Sequence, residues 1–559
     1  MKYIKLTIIL LVLFSCNTLF AFDFSTHGYF RNRIVADQDM DLQKPNRNIA
    51  DSNDSFGFMS YNQMRLRLNP TLKLNDNLSI HTQFDILDNI LYGTSNTDEL
   101  NILSPAVGTL VMPPGAGSFS MVGGQAGENG SINVRRVWAD ILTPIGKFRL
   151  GRQPLNWGLG IFLNDGNEMQ GDFGDTADGI MYIAQFETLK LGTLSAGLLW
   201  GIPFEAQSDL RTQTYYDRVR NIAANSRDTQ QYSALFMLER DDISIDLLGG
   251  IRRRNGQNGA TTTTVTDRNG NTVAAGIDGD TFLYFFDLYA KYVYENFKFQ
   301  LEGVYVGGNI TTGIALDEIP FQGVAAGTGI IQLPQKQPVR VFMGAFQAEG
   351  KHDFGGEWVF QTGYAPGDQK PLSSRITQLG FRPDYQVALM MFNQPMGTSP
   401  TLYDSTSGAR LSGGQWMTGN YINNALYVSA GYKHSFDLEQ YITDMNEFKI
   451  GGKITTAWAP KKNININFSD LITTVPNLPI LSENASTMLQ RWYGLEVDLS
   501  VEARFFEHLY TAIDGGIMIP GRAYNIDVGL IDVNSIVKPV PKDKANIAWM
   551  FRGTVVVDF

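Results

Sequence analysis

The chain has 559 residues, of which 43% are hydrophobic, 12% are aromatic and only 18% are charged, a composition poor in charge and rich in aromatic rings for a soluble protein. Its formal net charge of −11 argues against nucleic acid as a partner. Beyond the first residues the sequence has no run of 18 apolar residues, which excludes helical membrane spans and leaves a closed β-barrel as the possible membrane architecture.

Residues 1–21 are the first predicted element, a secretory signal peptide. Two lysines precede an apolar stretch, and cleavage is expected after Ala21. The mature chain then has 43 basic and 56 acidic residues, a net charge of −13, and no cysteine, which excludes disulfides and thiolate metal sites. The alternative is a lipoprotein signal with lipidation at Cys16.

Alternating polar and apolar residues predict β-strands along the rest of the chain. Arg31 and Arg33 oppose Phe30 and Ile34, and Arg65 and Arg67 follow the same period. The same pattern returns at 243–254, 297–305, 448–458, 493–505 and 547–559. The last segment ends on an aromatic residue, and it resembles the C-terminal strand that bacterial outer-membrane barrels present to the barrel assembly machinery, which implies that Phe559 contacts this machinery.

Short polar links alternate with long connections between these segments, as in porin-like barrels. We therefore predict that residues 22–559 form one all-β domain, a transmembrane antiparallel β-barrel of about 18 strands, with 16 as the alternative. Long external loops are expected at about 37–58, 88–131, 154–177, 257–279, 312–335, 367–422 and 460–490. The apolar residues 104–124 either fold inward as a constriction or form an external loop. A barrel of this width leaves an aqueous channel unless loops fill it.

Arginines on the polar faces are the candidate functional residues. They are expected to face the lumen, because a charge on the lipid face costs roughly 2–4 kcal/mol. Guanidinium groups bind carboxylate or phosphate through paired donors. The candidate pore-lining, anion-binding residues are Arg31, Arg33, Arg65, Arg67, Arg149, Arg152, Arg252, Arg254 and Arg504. In the alternative interpretation these arginines pair with acids such as Asp85, Glu496 and Asp498 to hold the wall and plugging loops. Arg135 and Arg136 are adjacent, so only one of them is expected to point inward.

Residues 151–179 form a strand-to-loop junction rich in glycine and aspartate. Trp157 is expected in the aromatic girdle at the membrane surface. The start, Gly151-Arg152-Gln153, resembles the strand-end motif of the alginate-export family of outer-membrane barrels, which are 18-stranded channels with arginine-rich lumens for a polyuronate. The resemblance implies that Arg152 is a pore residue. Simple alternation points Arg152 outward unless Gly151 forms a bulge.

The same junction contains weak candidates for a structural Ca²⁺ site, namely Asp172, Asp175 and Asp178. Because the spacing of an EF-hand loop is absent, a polar external loop is the main interpretation. No other cofactor is expected.

The pattern as a whole predicts a channel in the bacterial outer membrane, for passive diffusion or export of small or polymeric solutes that are anionic or saccharide. The expected partners are outer-membrane lipid, the assembly machinery and that solute. No G-x-S-x-G, H-E-x-x-H or P-loop motif is present, so the chain is not expected to be an enzyme. The alternatives are a plugged barrel that acts as an adhesin or receptor through its loops, and an outer-membrane lipid hydrolase.

Overall fold

The structure is a computed structural model, and it describes residues 22–40, 42, 57–91, 132–188, 192–203, 229–254, 263–266, 272–275, 281–312, 335–367, 375–398, 401–404, 410–412, 416–438, 441–462, 490–531, 537–541 and 544–559. The predicted signal peptide, the lipidation site Cys16 and the apolar residues 104–124 lie outside the described residues. None of the described residues lies in a helix that is long and apolar enough to cross a membrane.

Eighteen long strands form one antiparallel sheet. Their bounds are β1 Asp23–Gln38, β2 Phe58–Asn75, β3 Leu78–Leu91, β4 Ile132–Thr143, β5 Gly146–Leu155, β6 Asp175–Thr188, β7 Gly192–Pro203, β8 Gln230–Glu239, β9 Ile243–Arg254, β12 Thr281–Tyr294, β13 Phe297–Thr312, β14 Gln335–Lys351, β15 Gly356–Ala365, β20 Ala425–Phe436, β21 Met445–Trp458, β22 Trp492–Phe505, β23 Leu509–Pro520 and β26 Ala548–Asp558.

Eight short strands and a short 3-10 helix, Arg522–Tyr524, lie in the long connections. The short strands are β10 Thr263–Thr266, β11 Thr272–Ala275, β16 Met396–Thr398, β17 Thr401–Asp404, β18 Arg410–Ser412, β19 Trp416–Thr418, β24 Ile526–Ile531 and β25 Val537–Pro541.

The sheet closes on itself because its first and last strands pair. β1 binds β26 in antiparallel register from Tyr29 opposite Asp558 to Gln38 opposite Trp549, and its other edge binds β2. The prediction of an 18-stranded barrel is confirmed, and the 16-stranded alternative is wrong. Closure leaves no free strand edge, so the wall satisfies its own backbone hydrogen bonds.

The connections at one end of the barrel are short and those at the other end are long. The predicted long loops fall between strands, but the wall has two further long connections, 204–229 and 521–547. Residues 204–229 contain neither glycine nor proline, the usual markers of a loop. Residues 521–547 include β24 and β25, whose sequences resemble those of further wall strands. The sequence therefore marked neither of these two connections as a loop.

The two faces of the wall differ in their surroundings. Outward side chains are apolar and exposed, as for Phe286 (61% exposed) and Leu499 (66%). On the last strand Trp549, Phe551 and Val555 point outward, while the intervening Met550 and Thr554 are buried inside. The predicted alternation is therefore confirmed, and the hydrophobic core of the protein lies within the barrel.

Two of the connections have long described segments that fold into this interior. We call residues 156–174, between β5 and β6, the first inner segment, and residues 375–398, between β15 and β20, the second inner segment. Their buried apolar side chains, including Trp157, Ile161, Phe381 and Met390, belong to one cluster with inward wall residues such as Val304 and Met343. The prediction that Trp157 lies in an external aromatic girdle is wrong, because its segment turns into the lumen and buries the ring.

Candidate functional site

Six arginines form one side of the interior, which we call the arginine wall. Its members are Arg31 and Arg33 on β1, Arg65 and Arg67 on β2, and Arg135 and Arg136 on β4. All six are at most 6% exposed. Arg31 lies directly opposite Arg65 in the strand register, an arrangement of like charges that destabilises a sheet unless counter-charges are present.

Asp172 of the first inner segment supplies one of these counter-charges. Its carboxylate lies 2.5 Å from Arg31 Nη2, 2.7 Å from Arg33 Nη1 and 3.4 Å from Arg65 Nη2. Burial by itself would raise the pKa of Asp172, but the charges of these three arginines hold that pKa well below its usual range. Asp172 is therefore an ionised carboxylate inside the barrel.

The same arginines also hold the backbone of the first inner segment. Arg31 Nη1 donates to the carbonyl oxygen of Met169 at 2.7 Å, and Arg65 Nη1 donates to that of Gly171 at 2.8 Å. Arg67 Nη1 donates to Gly166 O at 2.9 Å, and Arg136 donates to Asp165 O. Charge-assisted hydrogen bonds of this kind are stronger than neutral ones, so the turn 165–172 is bound tightly to the wall.

Acids of the wall itself complete the pairing. Asp85 accepts from Arg67 Nε at 2.7 Å and from Arg135 Nη1 at 2.6 Å, and Asp88 lies 2.6 Å from Arg65 Nη2. The predicted alternative role of Asp85, pairing with lumen arginines, is therefore observed.

Both Arg135 and Arg136 are buried inside the barrel, so the prediction that only one of them points inward is wrong. The pairing of β3 with β4 shifts between Gln83 opposite Arg136 and Phe84 opposite Val134. This β-bulge inserts Arg135 as an extra residue and turns two successive side chains to the same face.

Carboxylates on other strands of the wall hold the inner segments by their backbone N–H groups. Glu302 Oε2 on β13 accepts from Leu159 N at 2.5 Å. On β22 the two oxygens of Glu496 accept from Met390 N and Met391 N, each at 2.6 Å, and Asp498 accepts from Leu389 N at 3.2 Å. The wall therefore binds the first inner segment through arginines and a carboxylate, and it binds the second inner segment through carboxylates.

Gly158 permits the contact between Glu302 and the first inner segment. Its φ is +58°, and a Cβ atom at this position would lie 2.6 Å from Glu302 Oε2. We expect Gly158→Ala to lower the free energy of unfolding by about 1–2 kcal/mol, the cost of a left-handed conformation for a residue with a side chain. Urea unfolding of the refolded barrel measures this change. The control is Gly515→Ala, since a Cβ at Gly515 meets nothing within 4 Å; an equal loss in the control would contradict the assignment.

The two inner segments also bind each other. Asp384 Oδ1 accepts from the backbone N–H groups of Asp172 at 2.8 Å and Phe173 at 3.1 Å. The backbone N of Arg382 donates to Ile161 O at 2.9 Å, and its side chain pairs with Asp175 at the start of β6. Burial raises the pKa of Asp384, although the two N–H donors lower it in part. The segments therefore form one unit, which we call the inner body.

The other predicted arginines lie at separate places. Arg149 points inward, where it pairs with Asp140 at 2.7 Å and lies 5.4 Å from the centre of the Trp138 ring. Arg252 donates to Gln231 Oε1 at 2.6 Å, and Arg254 has the same inward phase on β9. Arg504 lies near the short turns, 3.0 Å from Asp558. None of these four joins the arginine wall.

The prediction that Arg152 lines the pore is wrong. Arg152 lies opposite Val137, an exposed outward residue, and pairs with Asp178 at 2.7 Å. Its neighbour Gln153 takes the inward phase and is fully buried. Although Gly151 has a positive φ, the register of β4 and β5 is regular across it, so Arg152 stays on the outer face.

The three candidate calcium ligands do not converge. Asp172 meets the arginine wall, Asp175 pairs with Arg382, and Asp178 pairs with Arg152 on the outer face. Among the residues that the structure describes, no group of three or more acidic, histidine or cysteine side chains is placed to hold a metal ion. The geometry therefore gives the calcium hypothesis no support.

Towards the short turns the interior is lined by charged, partly exposed side chains. Lys147 (40% exposed) pairs with Asp140, and Lys298 (39%) pairs with Glu349 at 2.7 Å. Lys433 (45%) pairs with Glu502. Long charged side chains with this exposure extend into water, so this half of the lumen is hydrated.

No protein-family model matches the sequence, and a search of curated proteins finds no significant match. Among solved structures the chain is similar to OccK11 (OpdR) of Pseudomonas aeruginosa, with 8% identity, a TM-score of 0.41, and coverage of 96% of each chain. It is also similar to the outer membrane protein opdK from Pseudomonas aeruginosa, with 10% identity, a TM-score of 0.40, and coverage of 96% of this chain and 98% of that chain. A third similar structure is an anion-selective porin from Comamonas acidovorans, with 10% identity, a TM-score of 0.35, and coverage of 96% of this chain and all of that chain. At these identities and TM-scores the matches carry no functional argument, and the resemblance to the alginate-export family stays a prediction.

Proposed function

We propose that the protein is a channel of the bacterial outer membrane that conducts small anionic or saccharide solutes through a lumen narrowed by the inner body. The observation that carries this proposal is the closed 18-stranded wall with an apolar outer face and a charged interior. A closed barrel is the β architecture that satisfies its backbone in lipid, and a wall of this strand number encloses an aqueous space.

The charge of the interior supports an anionic solute. In the ion pairs described above, the six arginines of the arginine wall meet three carboxylates, Asp85, Asp88 and Asp172. This local concentration of arginines lies in a confined lumen, where low-dielectric walls strengthen its attraction for anions.

A second candidate function is a plugged barrel that binds a partner through its external loops. The observation that favours it is the number of contacts between the wall and the inner body, since arginines and carboxylates on several strands of the wall hold it. The two functions differ in one measurable property, the passage of ions through the folded barrel.

Single-channel conductance of the refolded mature protein in planar bilayers tests the proposal. We expect stable conductance steps and, in a salt gradient, a reversal potential that indicates anion selectivity. A correctly folded barrel without conductance would overturn the channel and favour the plugged barrel.

A pair of variants on β5 tests whether the lumen charge sets the selectivity. Arg149→Gln removes an inward positive charge and is expected to lower the anion-to-cation permeability ratio by about twofold, because nearby fixed charges set the local ion concentration. Arg152→Gln removes an arginine that also pairs with an aspartate but lies on the outer face. The reversal potential should change in the first variant and stay constant in the second; equal shifts would contradict this assignment.

A further inference from the structure

Arg31, Arg33 and Arg65 form a built site for a carboxylate. Arg31 and Arg33 share the inward face of β1, and Arg65 lies opposite Arg31 on β2. The side chains are 1%, 7% and 0% exposed, and all three reach one carboxylate within 3.4 Å. The backbone positions of the three arginines are fixed by the register of two neighbouring strands in a closed wall.

The carboxylate in this site belongs to the chain itself. Asp172 lies on a connection rather than on the wall, and its two oxygens contact different arginines, Oδ1 binding Arg31 and Oδ2 binding Arg33. A free carboxylate solute offers the same pair of oxygens and the same charge. Solute and Asp172 would therefore compete for the same donors, with Asp172 favoured by its high effective concentration as a tethered group.

The contacts of Asp172 determine what its displacement would move. Its backbone N–H binds Asp384 of the second inner segment, whereas Glu302 binds Leu159 separately. Loss of the Asp172 carboxylate from the arginines would thus remove the ion pairs that hold the turn 165–173, while the hydrogen bonds from Arg65 to Gly171 O and from Arg67 to Gly166 O would still attach the turn to the wall. The part held by Glu302 would remain in place.

We propose that Asp172 is a tethered carboxylate that occupies an anion site formed by Arg31, Arg33 and Arg65, and that carboxylate solutes displace it and loosen the turn 165–173. This inference rests on the proposed channel function, and it adds a constriction that the transported class of solute itself loosens.

The test measures amide hydrogen exchange by mass spectrometry in the refolded full-length mature barrel, in peptides that cover 156–174. Wild type is compared in succinate, in potassium chloride of equal ionic strength, and in sucrose. Asp172→Asn is measured in succinate and in potassium chloride. The matched control is Asp178→Asn, which removes an aspartate that pairs with an arginine on the outer face.

We expect amide hydrogens of residues 165–173 to exchange about tenfold faster in Asp172→Asn, because local opening of this variant does not have to break the Asp172 ion pairs. Succinate should accelerate exchange in wild type but not in Asp172→Asn, while potassium chloride, sucrose and Asp178→Asn leave it unchanged. Unchanged exchange in Asp172→Asn, or equal acceleration by succinate and potassium chloride, would overturn the inference.

Conductance measured on the same proteins separates this inference from the proposed function. If succinate and Asp172→Asn accelerate exchange in a barrel that conducts nothing, the anion site stands and the channel fails. If the barrel conducts but neither succinate nor the Asp172→Asn substitution changes exchange in 165–173, the channel stands and the displacement of Asp172 is wrong.

Discussion

Replacement of residues 157–173 by a short Gly-Ser linker is expected to raise the single-channel conductance by roughly fivefold or more. The reason is that an 18-stranded wall leaves an aqueous channel when loops do not fill it, and these residues place Trp157, Ile161 and Phe162 in the interior. The six arginines would then face water instead of the first inner segment, so we also expect stronger anion selectivity. Conductance steps and reversal potentials in planar bilayers measure both effects.

The matched control shortens another long connection, residues 255–280, by removing the hairpin of β10 and β11. These two strands pair only with each other among the described strands. Conductance of this control should equal that of wild type. If both deletions raised conductance equally, or if neither did, the first inner segment would not be the constriction.

Asp85→Asn is expected to lower the free energy of unfolding by about 3–5 kcal/mol, the usual effect of removing one partner from a buried ion pair. Asp85 is fully buried and shared by Arg67 and Arg135, which are themselves at most 1% exposed. The amide would remove the negative charge that these two buried arginines share. Urea unfolding of the barrel in lipid vesicles measures this difference.

The control is again Asp178→Asn. Asp178 and Arg152 form a pair with side chains 42% and 31% exposed, and such pairs contribute only about 0–1 kcal/mol. A similar loss in both variants would contradict the view that buried pairing inside the wall sets the stability of this region.

The fold of the wall was predictable because its signals are local. Alternation with a period of two shows a strand and its lipid-facing side over about ten residues, and Arg31, Arg33, Arg65 and Arg67 lie on the inward face as this period predicts. Alternation also points Arg152 outward, which is the direction observed. The prediction that Arg152 lines the pore came from the motif resemblance alone, and it was wrong.

The inner body was not predictable from local pattern. Residues 375–398 have no strand period, so nothing in the sequence marked Arg382 or Asp384 as partners of the first inner segment. The prediction that only one of Arg135 and Arg136 points inward was wrong for a related reason, since the bulge that turns both inward depends on how β4 pairs with β3.

The sequence by itself determined a barrel of about 18 strands, the lipid face and the inward direction of most arginines, because each of these follows from residues close together in the chain. Only the tertiary structure decided what the inward charges contact. Glu302 binds the backbone of Leu159, 143 residues away, and Arg31 binds Asp172, 141 residues away. Such contacts depend on how loops turn into a closed lumen, and there the cost of leaving a buried charge unpaired selects the partner.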